Sequence, residues 1–146
     1  MYKKALVAVD GSGPSLEAVA TARDLLKEGS LQSFSLINVI PFPYITNVGE
    51  GLMMFPIPID FEQQMKSSAQ EIMEQSLKIA GSDLQLETLI EFGAPAETIL
   101  QAAEKGLYDL IIIGNRGLNQ VKRLFLGSVS TRVVSLADCA VLVVKL

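Results

Sequence analysis

The sequence contains no histidine, and this absence excludes several common kinds of catalytic site. Hydrolases with a Ser-His-Asp or Cys-His arrangement, other histidine general bases and histidine metal sites cannot be assembled from this chain alone. A single cysteine, Cys139, leaves no intramolecular disulfide. Because an apolar neighbourhood raises the pKa of a thiol, we expect Cys139 to be a core side chain and not a nucleophile.

The chain also lacks a long apolar run. The longest, Leu52 to Ile59, has eight residues and includes two prolines, whereas a membrane-spanning helix needs about 20 apolar residues. Lys3 and Lys4 precede an apolar stretch, as in an export signal, but Asp10 and Gly11 end that stretch after five residues. We therefore expect a buried strand at this position, no membrane segment, and a cytoplasmic protein.

An excess of basic residues is absent as well. There are 12 basic and 16 acidic residues, a net charge of -4, which argues against an extended nucleic-acid surface and leaves only a small anion as a charged ligand. The chain is 49% apolar and 19% charged, with 6 prolines and 11 glycines, a composition typical of a globular protein. A chain of 146 residues buries about 68% of its surface on folding, so one domain over residues 1–146 is expected.

Short β-branched runs alternate with apolar residues at helical spacing along the whole chain. The predicted strands are Tyr2 to Asp10, Leu31 to Ile40, Leu84 to Phe92, Asp109 to Gly114 and Ala140 to Leu146, and the predicted helices run from Gly13 to Gly29, Phe61 to Gly81, Pro95 to Gly106 and about Gly127 to Ala137. This order predicts an α/β fold, an open five-stranded parallel sheet in the order 3-2-1-4-5 with helices on both faces, flavodoxin-like or Rossmann-like. The third strand, in which apolar and polar residues alternate, is expected at a sheet edge.

The segment Pro41 to Ile59 interrupts this regular alternation. It contains four prolines together with aromatic residues and methionines, and it reads as a long loop. Such a loop is either a lid or partner surface, or a loop that folds onto its own apolar side chains.

Glycines and serines recur around the predicted fourth strand and the helix that follows it. The pattern is Gly114-Asn115-Arg116-Gly117, followed after nine residues by Gly127-Ser128-Val129-Ser130. Glycines at a strand end allow close backbone approach to a ligand, and a helix start offers unpaired amides to phosphate. Arg116, Lys122 and Arg123 add positive charge. The alternatives are an ordinary helix cap at Gly127 and a solvated loop face for the basic residues.

A second cluster, Asp10-Gly11-Ser12-Gly13, follows the first strand. In an open sheet of the predicted order the ligand lies beyond the strand ends where the order reverses, so Asp10 and Gly114 would flank one crevice. Taken alone, Asp10 could equally cap the turn or the first helix. A dinucleotide fingerprint fails because Leu16 replaces its third glycine, and no P-loop is present at the glycine pattern.

At these residues the chain resembles the universal stress protein family, in its ATP-binding branch. The family motif of Gly, two residues, Gly, nine residues and Gly-Ser/Thr is met at Gly114, Gly117, Gly127 and Ser128. The opening Val7-Ala8-Val9-Asp10-Gly11-Ser12 and the closing Val141-Leu142-Val143-Val144 are also similar to the family, so the resemblance covers essentially the whole chain. The sequence departs from the common pattern at Ala140 and Asn115.

The resemblance implies a ligand and a role. Asp10 and the backbone near Val39 would contact adenine or ribose, and Gly117 with the segment Gly127 to Ser130 would hold the phosphates of ATP, with Mg²⁺ or Mn²⁺ between them. Nucleotide-dependent signalling during stress is the implied function. Two alternatives stay open: slow ATP hydrolysis or phosphoryl transfer, for which Asp10 is the only carboxylate among the candidate site residues, and an interaction module without ligand.

The last predicted strand, Ala140 to Leu146, is apolar at six of its seven positions although it is expected at a sheet edge. Unpaired amides and carbonyls on such an edge invite a second chain, and Lys145 is its only charged residue. We therefore expect a homodimer formed by two-fold antiparallel pairing of this strand, and the family resemblance points the same way.

Overall fold

The computed structural model describes residues 1–41, 60–116 and 126–146 in full and the backbone of residues 45–48 and 51–54. These residues form seven strands and four helices in the order β1 (Tyr2–Ala8), α1 (Gly13–Lys27), β2 (Leu31–Ile40), β3 (Ile45–Val48), β4 (Gly51–Met54), α2 (Phe61–Ala80), β5 (Thr88–Phe92), α3 (Pro95–Lys105), β6 (Leu110–Gly114), α4 (Ser128–Leu136) and β7 (Ala140–Val144). Within these ranges, no helix combines the length and apolarity that a bilayer crossing requires.

Five of the strands form one parallel sheet in the order β5-β2-β1-β6-β7. Counted without the short strands β3 and β4, this is the order 3-2-1-4-5, so the predicted fold class is confirmed. The strand β1 lies at the centre between β2 and β6, whereas β5 and β7 form the two edges. Each crossover between parallel neighbours contains a helix, as parallel pairing requires.

Alternate residues of β1, together with Val9 directly after it, supply two separate cores, one on each face of the sheet. Ala5, Val7 and Val9 pack with residues of α1 and α2, whereas Leu6 and Ala8 pack with residues of α3 and α4. Burying a side chain the size of valine or leucine stabilises the fold by about 1.5–3 kcal/mol. The central strand therefore stabilises both layers at once.

The helix α1 begins as its sequence predicts. Ser12 is the N-cap residue, with its Oγ accepting a hydrogen bond from Ser15 N (3.4 Å), and Pro14 lies in the first turn, where its missing N–H has no intrahelical partner to lose. The chain leaves the helix through Gly29, whose φ of +76° favours glycine.

The segment Pro41 to Ile59 contains a hairpin that the sequence analysis did not predict. Its strands β3 and β4 pair antiparallel, with Val48 opposite Gly51 and two residues between them. Strands of four residues are too short to produce a clear alternation of apolar and polar residues. Residues 42–44, 49–50 and 55–59 lie outside the described residues, so the lid or partner surface stays a prediction.

The edge strand β5 is shorter than predicted, beginning at Thr88 instead of Leu84. Its register with β2 starts at the Leu36–Thr88 pair, and the preceding Leu84 and Leu86 pack, partly buried, against the core beneath α1 and α2. The alternating pattern extends beyond the strand because these leucines also need burial. The predicted edge position of the strand is confirmed.

At the amino ends of the strands, Asp109 joins β1 to β6. Its two carboxylate oxygens accept hydrogen bonds from Lys3 N and Lys4 N, both at 2.9 Å. These bonds hold the pKa of Asp109 below its usual value, because they stabilise the charged carboxylate.

Cys139 lies partly buried against the core that α3 and α4 cover. Desolvation raises the pKa of its thiol. Both observations agree with the expected core side chain, since a protonated thiol is a poor nucleophile.

Candidate functional site

A cavity of about 590 Å³ opens at the carboxyl ends of the central strands. The connection from β1 leads to β2 on one side and the connection from β6 leads to β7 on the other, which makes this edge the switch point of the sheet. Eight predicted site residues line the cavity: Asp10, Val39, Gly114, Arg116, Gly127, Ser128, Val129 and Ser130. Of the other predicted site residues, Gly11 and Ser12 are not among the lining residues, and Gly117 lies outside the described residues.

The turn between β1 and α1 forms one wall of the cavity. Asp10 both lines the cavity and caps this turn, because its Oδ1 accepts a hydrogen bond from Ser12 N (2.9 Å). Ser12 Oγ also contacts the backbone O of Arg116 (3.3 Å), which joins the two loops that meet at the cavity. Gly11 has a φ of +83°, a backbone conformation that favours glycine. A Cβ added there would also lie only 3.1 Å from Cγ1 of Ile72, so the turn leaves little space for a side chain.

Gly114, at the end of β6, is required by packing between the strand and a helix. A Cβ at this position would lie 2.7 Å from the backbone C of Pro14 and 2.8 Å from Ser15 N. A side chain would therefore push α1 away from the sheet. The predicted reason for this glycine was close approach to a ligand, and the structure adds close approach of the first helix.

The start of α4 directs unpaired amides toward the cavity. Its N-cap residue, Gly127, makes no side-chain hydrogen bond, and its first intrahelical bond runs from Thr131 N to Gly127 O (2.9 Å). The amides of residues 128 to 130 precede that bond and have no acceptor among the described residues. Together with the positive end of the helix dipole, these amides form a site suited to an anion.

The hydroxyl of Ser130 is used within the protein. Its Oγ lies 3.1 Å from Asn115 O and 3.0 Å from Gly127 O, in donor geometry to both carbonyl oxygens. Asn115 O also accepts a hydrogen bond from Gly127 N, and Asn115 N donates to Val144 O (2.8 Å). The backbone of Asn115 therefore joins the start of α4 to the end of the edge strand β7.

Arg116 lines the same cavity and carries one buried donor atom without a partner among the described residues. Its Nε is buried and has no hydrogen-bond acceptor within the described part of the chain. A buried charged donor without a partner destabilises the protein, and an anion bound beside it would remove that cost. The other two basic residues of the predicted loop, Lys122 and Arg123, lie outside the described residues.

Two parts of the cavity were missed by the sequence analysis. One is an apolar wall of α2, formed by Met65, Ala69 and Ile72 at helical spacing. The other is Asn38 of β2, which is 4% exposed and lines the cavity floor. The signal for Asn38 was present in the sequence, because it is the only polar residue between Leu36 and Ile40.

The described residues contain no preformed cluster of acidic or sulfur side chains for a metal ion. Among the described residues, no cluster of three or more cysteine, aspartate or glutamate side chains is positioned to hold an ion. Asp10 is the only acidic residue among those that line the cavity in the described part of the chain. The site therefore suits anion binding far better than acid–base chemistry with paired carboxylates.

Comparisons with known proteins give relatives of one family, which match nearly the whole chain. A model of the Universal stress protein family matches residues 1–145. The Universal stress protein MJ0531 of Methanocaldococcus jannaschii is 34% identical over 146 residues, which cover 99% of this chain and 83% of that protein. Universal stress protein YxiE of Bacillus subtilis is 34% identical over 149 residues, covering 99% of this chain and 100% of YxiE. The solved structure of universal stress protein UspA from Lactobacillus plantarum matches with a TM-score of 0.77 at 24% identity, over 98% of this chain and 97% of that one. On the family match and these two relatives, the chain belongs to the universal stress protein family.

Proposed function

We propose that this chain binds ATP in the cavity at the carboxyl edge of its sheet. The observation that carries the proposal is the pairing of two unsatisfied donors: the uncapped start of α4 and the buried Nε of Arg116, both on the same cavity. A phosphate group would accept from both, since oxygen anions bind readily at helix N-termini and to guanidinium groups.

Structural neighbours with bound nucleotides support an adenine nucleotide in particular. A universal stress protein in complex with cAMP has a TM-score of 0.65 at 23% identity. The universal stress protein from Archaeoglobus fulgidus in complex with dAMP and the Arabidopsis thaliana family member with AMP bound have TM-scores of 0.63 and 0.62, each at 19% identity. All three ligands contain an adenine ring and a phosphate.

The adenine and ribose would lie against β1 and β2. Asp10 and Val39 line this end of the cavity, and one oxygen of Asp10 is already held by Ser12 N. A bound Mg²⁺ or Mn²⁺ would be coordinated mainly by phosphate oxygens, because the described residues offer no ready cluster of acidic ligands. The cation would neutralise phosphate charge, and the protein would hold the nucleotide.

We propose that ATP is held as a signal in a cytoplasmic stress response. Hydrolysis needs a group that orients the attacking water. Among the described lining residues only Asp10 is acidic, and its Oδ1 is engaged in the turn. A nucleotide that binds reversibly without being hydrolysed can report its own concentration, because the fraction of protein that holds it follows that concentration.

A homodimer through β7 belongs to the same proposal. The carbonyl of Val144 accepts from Asn115 N, so Val144 faces β6, and its neighbour Val143 directs its N–H and C=O to the open edge. Val134 of α4 is 45% exposed, and Leu142 and Val143 of β7 are only partly covered. Antiparallel pairing with a second copy would satisfy these backbone groups and cover the apolar side chains.

The test of ATP binding has two arms. Small molecules are released from freshly purified protein and identified by mass spectrometry, and ATP is titrated calorimetrically into protein that has been stripped of ligand. We expect an adenine nucleotide in the first arm and saturable binding in the second. Protein that carries no nucleotide and takes up none at millimolar ATP would contradict the proposal.

A further inference from the structure

Two helices on one face of the sheet begin beside the cavity, and they differ in what occupies their first amides. Pro95 of α3 and Gly127, directly before α4, both line the cavity. Glu97, in the first turn of α3, accepts a hydrogen bond from its own backbone N–H, which holds the pKa of its carboxyl below the usual value. The start of α3 therefore already holds a carboxylate, whereas the first turn of α4 contains no acidic residue.

Arg132 of α4 connects the two helices. Its Nε donates to Oε1 of Glu97, and its Nη groups have no acceptor among the described residues. The side chains of Arg132 and Glu97 are 57% and 42% exposed, and an ion pair in that much water contributes little to stability. The guanidinium therefore keeps two nitrogens for a further acceptor.

The guanidinium of Arg132 lies near the start of α4. Arg132 follows Ser128 by four residues, so the two side chains share one face of the helix, about 6 Å apart along its axis. Helical side chains lean toward the N-terminus, and the contact with Glu97 places the guanidinium between the starts of α3 and α4. Neither Arg132 nor Glu97 is among the side chains that line the cavity in the described part of the chain. The pair therefore lies at the rim of the cavity, beyond a phosphate bound to the amides of residues 128 to 130.

We infer that Arg132 distinguishes nucleotides by the number of their phosphates, and that Glu97 restrains Arg132 by masking its charge. The inference rests on the proposed nucleotide binding and deepens it. A single phosphate at the start of α4 does not reach the rim, whereas the terminal phosphate of a triphosphate extends to it and accepts from the Nη groups. The carboxylate of Glu97 has the same sign of charge as that phosphate and weakens its binding. The balance of these two side chains sets the preference for ATP over AMP.

The first experiment titrates AMP, ADP and ATP calorimetrically into the parent chain and into Arg132→Ala at low salt. Arg132→Ala should weaken ATP binding at least about fivefold and AMP binding less than about twofold, because only the longer phosphate chain reaches the guanidinium. Lys105→Ala is the matched control, since it removes one positive charge from the last turn of α3, at the opposite end of that helix, and should change neither affinity.

Two results of this experiment would be decisive against the inference. If Arg132→Ala weakens ATP and AMP equally, or weakens neither, the inference is overturned and the proposed function stands. If the parent chain binds none of the three nucleotides, both are overturned.

The second experiment tests the restraint by Glu97. Glu97→Gln removes the negative charge and keeps an oxygen that can accept from Arg132. ATP should then bind at least about threefold more tightly and AMP about as before, because a like charge beside the terminal phosphate is gone. Arg132→Ala should also cost more ATP affinity in the Glu97→Gln chain than in the parent, since the guanidinium is no longer masked. An ATP affinity that is unchanged or lower in Glu97→Gln would refute the restraint.

Salt dependence separates a charge effect from a change in the helix. The loss of ATP affinity in Arg132→Ala should shrink as the ionic strength rises, because both the guanidinium and the terminal phosphate lie in water. Urea unfolding of the same variant without nucleotide should match the parent chain, since the ion pair is exposed. A loss of ATP affinity that is the same at every salt concentration would show that α4 has moved and would overturn the inference.

Discussion

Replacing Gly127, a buried glycine, by valine tests the anion site, and urea unfolding of the same variant measures the effect on the fold. Gly127 has φ -64° and ψ 164°, values that valine adopts readily, so the backbone needs no strained conformation. As an N-cap, valine is less favourable than glycine, and we expect a loss of about 1 kcal/mol or less in the free energy of unfolding.

The effect on ATP should be larger than the effect on stability. Gly127 lines the cavity beside the free amides of residues 128 to 130, and a branched side chain there would hold a phosphate away from them. A hydrogen bond to a charged group contributes about 1.5–3 kcal/mol. Loss of even one such bond corresponds to a dissociation constant for ATP that is at least about tenfold higher.

Calorimetric titration of ATP, paired with urea unfolding, separates the two effects. Gly29→Ala is the matched control: Gly29 has a φ of +76° and open space around an added Cβ, so alanine should cost about 1 kcal/mol of stability. Gly29 follows the end of α1, whereas the cavity adjoins the start of that helix, so ATP binding should be unchanged. If Gly127→Val binds ATP as tightly as the parent protein, the phosphates do not lie at the start of α4.

Four further substitutions test other parts of the structure. Arg116→Ala should weaken ATP binding by about 1.5–3 kcal/mol, the contribution of a hydrogen bond to a charged group, because its Nε is buried and little screened by salt. Lys122→Ala should weaken ATP binding by about 1 kcal/mol, with the effect reduced at high salt in titrations. No change for Arg116→Ala would mean that its buried Nε faces no phosphate. Val143→Pro should convert a dimer of about twice 15.8 kDa into monomer or aggregate in sedimentation, whereas a parent protein that is monomeric at high micromolar concentration would rule out pairing through β7. Asp109→Asn should lower the free energy of unfolding in urea at pH 7. This loss should shrink below about pH 4, because a lowered pKa stabilises the fold only while the carboxylate is charged. A loss independent of pH would show that the charge of Asp109 does not stabilise the fold.

The succession of strands and helices along the chain was predictable because local patterns carried it. Apolar runs of strand length alternate with helical spacings, and Pro14 and Pro95 mark helix starts at the expected positions. The sequence therefore predicted that the carboxyl ends of β1 and β6 are adjacent, and Asp10 and Gly114 do line one cavity.

The missing parts of the prediction depend on contacts between distant residues. Ser130 donates to Asn115, and Asn38 donates to Val9, 29 positions away in the chain. Spacing along the chain carries no information about such partners. The hairpin of β3 and β4 was missed for a different reason, because its only local signal is a glycine in a two-residue connection, a frequent motif in loops of any kind.

The central place of β1 has a consequence for synthesis of the protein. Ala5 to Ala8 of this strand pair with Leu110 to Ile113, residues that are synthesised roughly a hundred positions later. Translation at about 5–20 residues per second leaves one side of the apolar segment Ala5 to Ala8 without its partner strand for on the order of 5–20 s. A nascent chain of this protein therefore presents an open template for strand pairing, and its yield in a cell should depend on chaperones that shield β1 during that interval.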